Sequence, residues 1–323
     1  MPPHAATAEL ELERAADPGA LRTAWTRLAE RGGNLFGTWE WIALWWSHFG
    51  RGRLELWRLG PAQDPAALLA MHLHEGELRF AGAPHGDELG PVAAAPDRPA
   101  AARALGRLLQ GDALPWRSFA GDDLPAGVAW EEATGATIVR RTASPVLRLG
   151  DGGWSGFLES RSRNFRSQVR ARERRLARSH RVSSRVSDPE HLARDLDTLF
   201  ALHRARWGPR RARGFAGAAQ PFHRAFAAVA LRRGWLRLRV LELDGAPAAA
   251  LLNFRFGGSE WFYQGGRDPA HDRLAPGFVL HLHAIRSAFE DGLTAYRLLR
   301  GDEPYKRRLA SEDAGVVSLR LDR

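Results

Sequence analysis

Residues 235–267 read WLRLRVLELDGAPAAALLNFRFGGSEWFYQGGR, and this stretch decides the fold. Trp235–Leu243 alternates apolar and polar residues as a half-buried strand does. Asp244-Gly245 is a strong hairpin signal, because the tightest two-residue turns need positive φ. Pro247–Phe256 then reads as the returning strand, Gly257-Gly258 as a second turn and Glu260–Gln264 as a third strand. Beyond it a polar loop leads to Gly277, a helix runs through Glu290, a strand covers Thr294–Leu299, a short helix Asp302–Leu309, and a last strand Val316–Leu321.

Upstream, Asp188 and Pro189 supply an N-cap and a first helical proline. Leu192, Leu196, Leu199 and His203 share one face of the helix that follows, and Gly208-Pro209 ends it. A second helix carries Phe222, Phe226, Val229 and Ala230 and stops at Gly234. Two helices, three antiparallel strands, then helix, strand, helix and strand define an α/β fold on a mixed sheet.

The first half follows the same order without repeating the sequence. Helices are expected at Ala20–Glu30 and Trp39–His48, and strands at Leu54–Leu59, Ala67–His72 and Leu78–Ala81. A helix at Ala100–Leu109, a strand at Trp116–Phe119, a weaker helix near Asp123–Ala133 and a strand at Thr137–Arg141 complete it. The 323 residues therefore divide into two domains, 1–150 and 151–323, joined by the Gly-rich segment Ser144–Gly156.

Composition narrows the chemistry. The chain has no cysteine, which removes disulfides, zinc–thiolate sites and thiol nucleophiles. Met1–Ala20 lacks the basic-then-apolar pattern of a secretory leader, and no run of 18 apolar residues occurs, so the expected location is the cytoplasm. The net charge of +10 is concentrated: residues 161–239 hold 21 Arg against 5 acidic residues. Such a segment suits an anionic partner. Of the basic residues 46 are Arg and one is Lys, so Lys306 marks a place where Arg does not substitute.

At Leu274-Ala275-Pro276-Gly277 and Arg300-Gly301-Asp302-Glu303-Pro304-Tyr305-Lys306 the sequence resembles the bacterial GNAT acetyltransferases associated with cellulose and exopolysaccharide biosynthesis. Asn34–Gly50 and Phe80–Gly90 resemble the N-terminal half of that family, so the likeness covers nearly the whole chain. More distantly, the two-domain plan is similar to the Fem-type peptidyltransferases, which take aminoacyl-tRNA as donor. The resemblance implies two tandem GNAT-like domains, with an acyl-CoA site in the second and the acceptor surface in the degenerate first. The usual GNAT phosphate loop reads Gln/Arg-x-x-Gly-x-Gly/Ala; here Asp272, Ala275 and Gly277 stand at those positions, so only the last glycine is kept. Relatives often carry an acid after the tyrosine of the following strand, where this chain has Arg297 after Tyr296.

Candidate site residues follow from both readings. Arg273, Leu274, Ala275, Pro276, Gly277 and Phe278 open a helix, and a helix N-terminus offers free N–H groups and a positive dipole end to a pyrophosphate. The bland alternative is a Pro-Gly turn. The resemblance implies that Tyr305 protonates a leaving thiolate, and Lys306 is expected to stabilise an oxyanion or hold a phosphate. Their bland alternatives are a packed ring and a solvated charge. Asp87 and His85, in a loop of the first domain, are the expected acceptor-side groups, and Tyr263 a further substrate contact. A turn aspartate after glycine is the plain reading of Asp87.

Ser162–His180 holds seven Arg around a narrow stripe of Phe165, Val169 and Leu176, which reads as a solvated helix face. His72, His74, His281 and His283 lack a third ligand at any legible spacing, so no metal is expected and they read as structural. Trp39, Trp41, Trp45 and Trp46 read as core.

The expected activity is direct transfer of an acetyl or acyl group from acyl-CoA to an amine or hydroxyl of a small molecule, saccharide or cell-envelope precursor. The alternatives are an aminoacyl-tRNA-dependent Fem-like transferase, and a non-catalytic RNA-binding or scaffold protein on decayed GNAT domains. Nucleic acid is the less favoured partner, because no aromatics interleave with the basic run.

Overall fold

The structure is a computed structural model describing residues 10–211, 215 and 217–323. The first elements are β1 (Leu12–Arg14), α1 (Arg22–Gly32), α2 (Trp39–Phe49), β2 (Arg53–Leu59), β3 (Ala67–His74), β4 (Glu77–Phe80) and β5 (Val92–Ala93). Then come α3 (Arg98–Gln110), β6 (Ser118–Pro125), α4 (Trp130–Thr134) and β7 (Thr137–Thr142). The chain continues with β8 (Pro145–Arg148), α5 (Gly153–Glu159), α6 (Arg163–Ser179), β9 (Val182–Val186), α7 (Leu192–Arg211) and α8 (Gln220–Arg232). It ends with β10 (Leu236–Leu243), β11 (Ala246–Phe256), β12 (Ser259–Arg267), α9 (Pro276–Glu290), β13 (Ala295–Arg297), α10 (Pro304–Leu309), β14 (Glu312–Asp313) and β15 (Val316–Asp322).

These elements form two compact units, one of residues 1–141 with 317–323 and one of residues 142–316. The sequence reading set the boundary at 150 and kept the last strand in the second domain; the contacts set it about nine residues earlier and place β15 in the first unit. The first sheet runs β1-β2-β3-β4-β6-β15-β7, with β5 on β3, and the second β14-β8-β13-β12-β11-β10-β9. In both, a meander of antiparallel strands leads through a helix to one parallel neighbour: β4 with β6, and β12 with β13. The mixed α/β architecture in two sheets is the expected one. The correspondence extends to the exchanged strands: β15 lies between β6 and β7, as β8 lies between β13 and β14.

The first unit buries Trp25, Leu28 and Phe36 together with Trp41 and Trp45; of the four tryptophans expected in the core these last two are there, while Trp39 and Trp46 are half-buried. In the second unit, α5, α6 and α9 cover one face of the sheet. Phe165, Val169, Leu176, Val279, Leu280 and Ile285 join Leu241, Leu251 and Phe262 in a single cluster. The other face takes α7 and α8 through Leu196, Leu199, Phe200, Phe222 and Phe226. Full burial of each such side chain contributes about 1.5–3 kcal/mol. The α6 stripe is as narrow as expected, with Ser162 as N-cap accepting from the Phe165 N–H at 3.2 Å. Helix α7 opens at Leu192, a turn later than expected, with Asp188 capping the His191 N–H at 2.8 Å.

Two irregularities shape the site. Strands β12 and β13 pair only from Ser259↔Ala295 to Trp261↔Arg297; β12 then runs on to Arg267 while β13 ends, so the sheet splays. On the other edge of β12 the register slips between Leu252↔Gln264 and Asn253↔Phe262, leaving Tyr263 as an extra residue that bends the strand.

Candidate active site

The splay opens a cleft of about 290 Å³ built wholly from second-unit residues. Its walls are the end of β12 (Gly265, Gly266, Arg267), the start of α9 (Ala275, Gly277, Phe278), Arg206 of α7 and Tyr305 of α10. His281, one turn into α9, and Leu251 also line it. Gly266 is required here by close packing: a Cβ would clash with the backbone nitrogen of His203 on α7.

Of the expected cofactor-binding residues, Ala275, Gly277 and Phe278 line the cleft. Pro276 is buried as the first helical residue, Leu274 packs on the core and Arg273 is exposed. Ala275, the N-cap, sits in the left-handed region at φ 54°, ψ 51°, where the family pattern has glycine. An L-residue is strained there by about 1–2 kcal/mol. No side chain caps the helix, and Pro276 brings no N–H, so the end of α9 faces the cleft with backbone alone. A Cβ on Gly277 would meet Arg267 Cδ at 3.7 Å, an ordinary contact, so a methyl group fits there without a clash. Asp272 also lines the cleft; its carboxylate takes Arg267 Nε and Nη2 at 2.6 and 3.1 Å, which neutralises it. An uncapped helix end at the cleft, beside a paired acid, is compatible with a phosphate-bearing donor.

Tyr305 of α10 lines the cleft. Its ring lies 5.3 Å from that of His281, and the charge of Arg206 acts on its phenol. Burial pushes the Tyr305 phenol well up from its ordinary value, with Arg206 pulling the other way. Arg206 itself is pushed down by burial and pulled up by the tyrosine.

Lys306 meets a different geometry from the expected one. Its side chain is 5% exposed, and Nζ donates to the carbonyl oxygens of Arg300 at 2.6 Å and Leu299 at 3.3 Å. An ion pair with Glu303 at 3.1 Å completes the surround, and the lysine is not among the residues lining the cleft. The ammonium ties the Leu299–Glu303 loop to α10, the helix that carries Tyr305. Tyr263, the extra residue of the bulge, is turned to the α7–α8 side, with His223 at 5.6 Å and Phe254 at 6.1 Å between ring centres. In the first unit Asp87 is buried, and His85 stacks on Phe49 at 4.1 Å.

The sequence reading missed a buried polar group on the α9 face of the sheet. Glu260, fully buried, takes Arg239 at 2.5 Å, Arg255 at 2.9 Å and Asn253 Nδ2 at 2.7 Å. Asn253 Nδ2 also reaches the Tyr296 hydroxyl at 3.1 Å, and that hydroxyl lies 3.1 Å from His281 Nδ1. The available signal was the placement of Arg239, Asn253, Arg255 and Glu260 inside otherwise apolar strands. Among the described residues no cluster of three metal-ligating side chains occurs, and no helix is long and apolar enough to cross a membrane.

Comparison with known proteins agrees with this geometry. Residues 163–307 match the family model described as acetyltransferase (GNAT) domain. Among solved structures the chain is similar to FemX, at 12% identity over 96% of this chain and 97% of that one, with a TM-score of 0.65. It is similar also to the C-terminal domain of a putative lysylphosphatidylglycerol synthetase from Agrobacterium fabrum, at 12% identity over 94% and 92%, TM-score 0.61. A third is L-PGS from Bacillus licheniformis, at 15% identity over 95% and 92%, TM-score 0.59. No curated protein matches the chain. At these identities the structural likenesses speak for the fold, and the family match is to residues 163–307, within the second unit.

Proposed function

We propose that the protein transfers an acyl group from acyl-CoA to an amine or hydroxyl, with the thioester in the second-unit cleft. The observation that carries this reading is the pairing, across one splayed strand pair, of an uncapped helix N-terminus with a partly buried tyrosine. The helix end suits the pyrophosphate. Tyr305, kept protonated by burial, donates to the departing sulfur, and Arg206 stabilises the phenolate when the proton goes. Lys306 acts by holding the loop and α10 in register. The resemblance to exopolysaccharide-associated acetyltransferases favours a saccharide or cell-envelope precursor as acceptor.

The second reading is an aminoacyl-tRNA donor. Asp272 and Ala275, at two positions where the phosphate loop departs from the family pattern, favour it, as do FemX and L-PGS as structural relatives. Calorimetry on the full chain with acetyl-CoA and with aminoacyl-tRNA separates the two. Acetyl-CoA is expected to bind, and Gly277→Asp to abolish binding by placing a side chain and negative charge at the helix end. Binding of the aminoacyl-tRNA alone would sink the acyl-CoA reading.

A further inference from the structure

The buried polar chain under the cleft fixes hydrogen positions that side-chain rotation alone would leave open. Glu260 sits between two guanidinium groups, so its carboxylate accepts from every neighbour. The Asn253 atom facing it at 2.7 Å is therefore the amide nitrogen, and the same nitrogen donates to the Tyr296 oxygen. Asn253 Oδ1 is left buried without a partner, which costs about 1–3 kcal/mol; the orientation is held by the carboxylate in spite of that. With its oxygen accepting from Asn253, the Tyr296 hydroxyl has its own proton to give, and the neighbour within reach is His281 Nδ1 at 3.1 Å. Nδ1 thus accepts, and the proton of the neutral imidazole resides on Nε2. The two ring nitrogens diverge, so with Nδ1 turned into the sheet, Nε2 is on the edge that the ring presents to the cleft it lines.

We propose that His281 is a catalytic hydrogen-bond donor, held as the Nε2–H tautomer by Glu260, Asn253 and Tyr296, that binds the acyl carbonyl oxygen in the cleft. The role rests on the acyl-CoA reading. As the acceptor's lone pair adds to the thioester carbon, the π pair moves to oxygen, and the oxyanion takes the hydrogen bond from Nε2–H. The proton stays on nitrogen. On collapse the carbonyl re-forms, the C–S pair leaves on sulfur, Tyr305 protonates the thiolate, the acceptor's surplus proton goes to solvent, and the Tyr305 phenolate takes a proton back from solvent. Burial, with Arg206, Lys306 and Arg239 around it, pushes the His281 imidazole down to about 3, so it stays neutral and donates through one nitrogen. A preorganised donor of this kind is worth about a hundredfold in turnover or more. Tyr296 and Asn253 are positioning residues, acting only through the histidine.

The test is long-range proton–nitrogen NMR on the full chain labelled with ¹⁵N-histidine. The His281 signal is identified by its loss in His281→Gln. The expected pattern at neutral pH is one neutral Nε2–H tautomer, mixed in Tyr296→Phe while the melting transition remains cooperative. Adding acetyl-CoA without acceptor is expected to shift the Nε2–H resonance. In kinetics His281→Phe should lose about a hundredfold in thiol release, and His281→Gln, which keeps an N–H near that place, less than about tenfold. An Nδ1–H tautomer or an imidazolium overturns the proposal. So does acetyl-CoA binding, seen by calorimetry, that leaves Nε2–H unmoved; in that case the acyl-CoA reading survives. No acetyl-CoA binding at all overturns both.

Discussion

Lys306 is the most informative residue to change. The chain has 46 Arg and one Lys, and Arg307 and Arg308 stand beside it, so a position that accepts a guanidinium here has become Arg. The structure supplies the reason. Nζ lies in a confined space, 2.8 Å from where a Cβ on Gly301 would be, and aims at two carbonyl oxygens. A compact ammonium fits, whereas a planar fork needs more room and other angles. Overpacking of a buried site costs about 1–3 kcal/mol. For a unit of this size that lowers Tm by roughly 2–4 °C per kcal/mol. Lys306→Arg is therefore expected to lower the melting temperature by about 2–12 °C. Turnover should fall at least about tenfold, since a displaced Tyr305 need lose only about 1.4 kcal/mol of transition-state stabilisation. Lys306→Met removes the charge and leaves the two carbonyls without this donor, and its stability loss should be comparable or larger. The assays are thermal melts and thiol release from acetyl-CoA, the latter free of background because the protein has no cysteine. If Lys306→Met lost turnover with its melt unchanged, the lysine would act on the acyl group directly, and the positioning role would be wrong. A wild-type Lys306→Arg would refute the compositional argument itself.

Tyr305→Phe should keep acetyl-CoA affinity within a few-fold and reduce turnover by about ten- to a thousandfold, read by calorimetry and thiol release; unchanged turnover would remove the phenol from the chemistry. Arg172 lies 4.6 Å over the Phe278 ring, and Phe278 lines the cleft, so Arg172→Glu should weaken acetyl-CoA binding more than Arg175→Glu on the same helix. Equal affinities for the two charge reversals would show that the α6 charge serves solubility alone.

The fold was legible wherever local signals and tertiary pairing agree. Asp244-Gly245 made the β10–β11 hairpin readable because the turn chemistry is confined to two residues, and Asp244 is indeed at φ 53°. Strand β8 was read as linker, since four residues opening on proline carry no period; only pairing with β13 and β14 makes them a strand. Strand β9, VSSRV, is half exposed at the sheet edge and shows too little apolar alternation to stand out. In the site, the cleft-lining residues Ala275, Gly277, Phe278 and Tyr305 stood out because a helix start and the resemblance fall on the same stretches. The direction of a side chain was not. A one-residue bulge turned Tyr263 to the α7–α8 side, and burial gave Lys306 backbone acceptors. His281 was set aside for want of metal ligands, when its partners were a tyrosine and an asparagine from distant strands.

The exchanged strands decide where the chain can be divided. A fragment from residue 155 to the end follows the visible linker, yet it discards β8 and keeps β15, which belongs to the other sheet. Without β8, β13 loses its antiparallel neighbour over Ala295–Arg297, and the N–H groups of Leu298, Gly301 and Ser311 lose their acceptors on Pro145, Ala143 and Val146. Val146 and Leu147, 1% and 2% exposed, leave the core with it at about 1.5–3 kcal/mol each. Each lost backbone bond costs about 0.5–1.5 kcal/mol more. Together these approach the whole stability of an ordinary domain, about 5–15 kcal/mol. Tyr296, on which the His281 chain depends, sits on the strand that would be stripped. Residues 142–316 keep β8 and leave out β15. That fragment is expected to melt cooperatively and bind acetyl-CoA, and the fragment from 155 to give no cooperative transition. Cooperative melting of both, with equal affinity, would mean that the β8 pairing is dispensable and that the sheet order does not set the unit of folding.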